Sequence, residues 1–89
     1  METPELSKGD MDATPLILAA FRTSGIEVEN SEWKYIPQLQ QWQLWIKTSW
    51  VETHGEDTIL RAQRDAPINA GIDTDIASRV RLERELPKA

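Results

Sequence analysis

The sequence predicts a mainly α protein: a small bundle of three to four helices, with residues 26–36 open between a short β-hairpin and a loop. Three observations carry that expectation. Helix boundary signals recur along the chain, with capping residues or proline ahead of apolar runs and Gly25, Gly55 and Gly71 between them. All four tryptophans lie in WKYIPQLQQWQLWIKTSW, residues 33–50, where apolar residues fit a helical stripe. The last segment pairs acids with arginines at four-residue spacing, as an exposed helical face does.

Taken in order, residues 1–12 mix charges without periodicity and read as a flexible acidic tail, leaving 13–89 as one small helical domain. TPLILAAFRTSG then reads as the first helix. Thr14 can cap it, Pro15 suits its first position, and Gly25 suits the left-handed residue past its end. Ile26 is thereby placed to touch Phe21. Residues 26–36 have period two instead. A turn at Asn30–Ser31 would set Val28 against Trp33, Ile26 against Tyr35 and Glu27 against Lys34, but also Glu29 against Glu32.

After Pro37 the tryptophan stretch fits two templates. As a helix, Leu39, Trp42, Ile46 and Trp50 form one stripe; as a strand, Trp42, Leu44, Ile46, Thr48 and Trp50 share one face. The distance from Pro37 to Thr53 without a turn signal, and four glutamines, favour the helix. GEDTILRAQRDA forms the next helix, with Glu56 and Asp57 in its first turn and Pro67 interrupting it. The last helix is capped by Asp73 or Thr74, carries Ile76, Val80, Leu82 and Leu86, and ends at Pro87.

Composition limits the function classes. With no cysteine, disulfides, thiol catalysis and cysteine-ligated metals are excluded. A formal net charge of −5 disfavours nucleic acid and anionic membrane surfaces. No apolar run is long enough to span a bilayer, and the acidic N-terminal sequence lacks the apolar core of a signal peptide, so the expected location is the cytoplasm. His54 meets Glu52, Glu56 and Asp57 in ETHGED, but one histidine makes a poor zinc set, and a helix end followed by a helix start explains the same residues. No serine sits in a nucleophile elbow and the glycines are too scattered to cradle phosphate. We therefore expect no enzyme, no catalytic residues, no metal and no cofactor.

The remaining expectation is a non-enzymatic protein–protein interaction module, self-associating or adaptor, using the Trp/Gln-rich helix as its interface. Trp33, Gln38, Gln41, Trp42 and Trp45 are the candidate contacts, since interfaces favour tryptophan and avoid lysine and acids. Trp42 and Trp50 belong inside with Ile46, leaving Trp45 or Trp33 outward. The partner is another protein or a second copy, with no membrane. The alternative is a helix-turn-helix-like DNA-binding regulator built from residues 56–86, contacting nucleic acid through Arg79, Arg81 and Arg84. Against it, the acids among those arginines nearly cancel their charge.

LWIKTSW, following a Gly-Ile and an acidic stretch and followed by a second Gly-Ile, resembles small proteins encoded in phage tail-assembly regions. The resemblance covers a minor part of the chain, and SEWKYIP stands where that group has a paired W-P-E-N-W element. It implies a small phage morphogenesis accessory protein as a further alternative.

Overall fold

The described residues fold as an α+β unit in which three helices accompany a three-stranded mixed sheet. The computed structural model describes residues 3–87; Met1, Glu2, Lys88 and Ala89, the ends of the expected tail and domain, lie outside the described residues. In chain order the elements are α1 (Lys8–Thr23), β1 (Asn30–Ile36), β2 (Gln41–Lys47), a 3-10 turn at Ser49–Thr53, α2 (Glu56–Asn69), α3 (Thr74–Ala77) and β3 (Val80–Glu83). Sheet order is β1-β2-β3, with β1 antiparallel to β2 and β3 parallel to β2. A parallel neighbour requires a crossover, and the segment from the 3-10 turn through α3 supplies it.

The expected helical bundle is thus overturned, and the tryptophan stretch is the reason. Pro37 opens a turn in which Leu39 N–H bonds to Ile36 C=O and Gln40 N–H to Pro37 C=O. Gln40 then takes φ 51, the left-handed conformation usually left to glycine or asparagine, and the chain returns as β2. The run from Pro37 to Thr53 is therefore a turn, a strand and a 3-10 turn with no glycine between them. Alternation settles which template holds, because Leu44 and Ile46 are fully buried beneath the helices. A hairpin does form, but β1 pairs with β2 and not with residues 26–29. Trp33 pairs with Leu44 and Tyr35 with Trp42.

The last expected helix also breaks. Asp73 caps α3 by accepting from Asp75 N–H, yet α3 is a single turn. Beyond it VRLE alternates, with Val80 and Leu82 buried and Arg81 and Glu83 more exposed. Val80 and Leu82 fit an apolar arc and a strand equally well, and pairing with β2 decides for the strand.

Helix ends were better marked. After α1, Gly25 has φ 84, its N–H bonds to Arg22 C=O, and Ile26 N–H bonds to Phe21 C=O. The same pattern follows α2: Gly71 has φ 88, bonding Ile68 C=O, and Ile72 N–H bonds Pro67 C=O. Both are Schellman motifs, and in both the isoleucine after the glycine enters the core. A Cβ on Gly25 would meet nothing within 4 Å, so Gly25→Ala tests backbone strain alone. We expect a loss of about 1 kcal/mol in urea unfolding. The start of α1 differs from expectation. It begins at Lys8, within the stretch read as a tail, with Ser7 Oγ accepting from Asp10 N–H. Pro15 lies inside the helix.

One core joins all of this. Ile17 and Phe21 of α1, Leu44 and Ile46 of β2, and Val80 and Leu82 of β3 are among its deeply buried members, with Ile59, Ala62 and Ala66 of α2 packed against them. The helices therefore cover one face of the sheet.

Candidate interaction surface

Strand pleating divides the sheet residues between two environments. Ser31, Trp33 and Tyr35 of β1 share the helix side with Trp42, Leu44 and Ile46 of β2 and with Val80 and Leu82 of β3. On the opposite side lie Glu32 and Lys34, then Gln41, Gln43, Trp45 and Lys47, then Arg81 and Glu83. No helix among the described residues packs on this second face. Its cover consists of its own side chains. The Arg81 guanidinium carbon sits 4.9 Å from the Trp45 ring centroid, a cation–π contact, and Arg81 Nη2 reaches Glu83 Oε1 at 3.0 Å. Trp45 is only half-buried as a residue, yet its Nε1–H is shielded and has no hydrogen-bond acceptor. Other buried polar side chains differ: Thr48, for instance, accepts from Trp50 N–H.

The sequence-derived interface residues separate accordingly. Gln41 and Trp45 lie together on the open face. Gln38 is exposed in the hairpin turn. Trp33 and Trp42 are on the helix side: Trp33 Nε1 donates to Thr14 Oγ1 at 2.9 Å, and Trp42 Nε1 donates to Pro4 C=O at 3.1 Å while its ring meets Tyr35 edge-on. Arg81, Gln43, Lys34 and Glu32 were missed as neighbours of Trp45. The period-two match of residues 42–50, continued in VRLE, was the signal that could have found them.

The three arginines proposed for nucleic acid do not share a surface role. Arg79 has a side chain 12% exposed and grips Asp10 in both directions, Nη1 to Oδ2 at 2.8 Å and Nη2 to Oδ1 at 2.6 Å. Its Nη1 also donates to Trp42 C=O, and its guanidinium lies 5.8 Å from the Trp33 ring centroid. Arg79 therefore ties α1 to the sheet. These bonds, outweighing desolvation, hold the Asp10 carboxyl below its ordinary value, and Asp10 in turn raises Arg79. Arg81 is stacked on Trp45, and Arg84 is exposed with Glu52 3.9 Å away. The second helix of a helix-turn-helix would fall on α3, whose four residues are too short to lie along a major groove.

An open groove of about 510 Å³ runs between the 3-10 turn, α2 and β3, lined by Val51, Ile59, Leu60 and Leu82 with Arg81 and Arg84 among acids. Gln63 stands at its floor, accepting from Leu82 N–H at 2.8 Å. His54 stacks on Trp50 with centroids 3.9 Å apart, and its Nδ1 lies 2.8 Å from Trp50 C=O. Among the described residues no three His, Asp or Glu side chains converge as a metal set, and no helix is long and apolar enough to cross a membrane.

Comparison with protein-family models, curated proteins and solved structures gives no match. Both Gly-Ile dipeptides in the resemblance to tail-assembly proteins have a local explanation as helix stops.

Proposed function

We propose that the protein is a non-enzymatic protein–protein interaction module, working in the cytoplasm, and that it binds through the uncovered sheet face centred on Trp45. One observation carries this reading: a half-buried tryptophan, stacked with an arginine, stands on a sheet face that no helix among the described residues covers. Tryptophan and arginine are the residue types that most often dominate binding energy, and Gln41 on the same face can hydrogen-bond in either sense, while Gln43 is itself buried. The shielded, unsatisfied Trp45 indole N–H adds to it, since a partner that displaces Arg81 and offers an acceptor would satisfy a donor the free chain leaves unmet.

The test is capture of partners by the intact chain against Trp45→Lys, with circular dichroism confirming that both are folded. Trp45 lies outside the core cluster, so the fold is expected to persist while stoichiometric capture falls at least tenfold. Equal capture by both proteins would rule out this face.

A further inference from the structure

Strand β1 is an edge, hydrogen-bonded to β2 on one side only. Its seven residues, NSEWKYI, present a row of backbone groups able to accept another strand once Asn30 Oδ1, which accepts from Ser31 N–H at 2.9 Å, releases it. The other edge, β3, is shorter, and Gln63 already occupies the N–H of Leu82. On β1, Glu32 and Lys34 lie on the open face with Trp33 between them on the helix side. Glu32 is exposed and Lys34 half-buried, and neither joins an ion pair among the described residues.

We propose that two copies of this chain associate by antiparallel pairing of their β1 strands about a two-fold axis at Trp33. The inference deepens the binding reading above by naming a second copy as a partner, and rests on it only in that the protein acts by association. Register selects the axis. Because Trp33 is the middle residue of β1, centring there pairs the whole strand: Asn30 with Ile36, Ser31 with Tyr35, Glu32 with Lys34, and Trp33 with its own copy. Glu32 and Lys34 thus find opposite charges twice, once on each side of the axis. Moving the axis to residue 32 sets Glu32 against Glu32, and moving it to residue 34 sets Lys34 against Lys34. Both neighbouring registers are penalised by like charge, so the strand is self-complementary in one alignment.

Pairing of this kind keeps the faces aligned. The two three-stranded sheets become one, with both Trp45 residues on the same open side and both α1 helices flanking the axis on the other.

Sedimentation velocity of the intact chain over a concentration series provides the test. A monomer–dimer equilibrium is expected. Glu32→Lys and Lys34→Glu should each weaken it, raising Kd roughly ten- to hundredfold, because two attractive pairs become two repulsive ones. Combining both substitutions should restore dimerisation, since the swap recreates both opposite-charge pairs at unchanged net charge. A wild-type monomer at the highest attainable concentration overturns the proposal. So does a dimer indifferent to either single reversal, or a folded double variant that stays monomeric. If a variant does not fold, amide exchange of the wild type decides: protection in β1 that rises with concentration supports the pairing, and concentration-independent exchange refutes it. Trp45→Lys separates the two readings, since it should leave the dimer intact while abolishing capture of other partners.

Discussion

Asp10→Ala is expected to lower stability by about 3 kcal/mol, because it leaves the largely buried Arg79 guanidinium with only the exposed Asp75 carboxylate, 3.4 Å away, to face it. For a chain of 89 residues, whose total stability is about 4–13 kcal/mol, that is a large fraction. The penalty comes from the stranded charge more than from the lost attraction. Replacing both partners, as Asp10→Leu with Arg79→Met, should therefore recover most of it, short of the bond that Arg79 gives Trp42 C=O. Chemical unfolding of the wild type, the single and the double variant checks this directly.

The same pair sets an acid limit. The folded Asp10 carboxyl titrates below its unfolded value, so its stabilisation is complete above the unfolded value. It is lost as pH falls through that value toward the lower, folded one, while Arg79 stays charged throughout. Thermal melts should show the wild-type Tm falling between about pH 5 and pH 2, more steeply than in the double variant, which lacks the titrating group. Parallel curves for the two proteins would remove the pair from any role in acid stability.

Phe21→Ala has the second large effect, an expected loss of about 4 kcal/mol. Phe21 is completely buried, and it is also the residue whose carbonyl receives Ile26 N–H at the end of α1. Truncation therefore opens a cavity beside the point where α1 hands the chain to the sheet. A loss of that size should lower the midpoint of the thermal melt by about 15–30 °C. A native-like transition would mean that the neighbouring chains collapse into the space.

Signals written in consecutive residues were legible, and those completed across the chain were not. Gly25 and Ile26 announce the end of α1 because a Schellman motif is local. Core membership of Ile17, Phe21, Leu44, Ile46, Val80 and Leu82 follows from their apolarity in either secondary structure. What failed was the choice of period. Trp42, Ile46 and Trp50 suit a helix, and Trp42, Leu44 and Ile46 suit a strand; with Gln40 turning left-handed where glycine is usual, no punctuation exposed the hairpin. At 76–86 the same ambiguity arose, resolved only by the parallel pairing with β2.

The candidate site followed suit. Trp45 was visible as a surplus tryptophan, but its companions depend on strand register, which a helical reading scrambles. Arg79 matched Asp75 at helical spacing, and that contact exists at 3.4 Å. Its stronger partner, Asp10, lies 69 residues away in a stretch read as tail, beyond any local pattern.

The side-chain amide of Gln63 has a consequence for how far such sheets can grow. By holding Leu82 N–H, it removes one of the outward donors that an incoming strand would need at the short strand β3. Among the described strands β1 is the longer free edge, and an isologous pairing there, as proposed, would use that edge of both copies at once. If the chains pair at β1 as proposed, that glutamine would favour two copies as the end point, where a sheet open at both edges would run on into a filament.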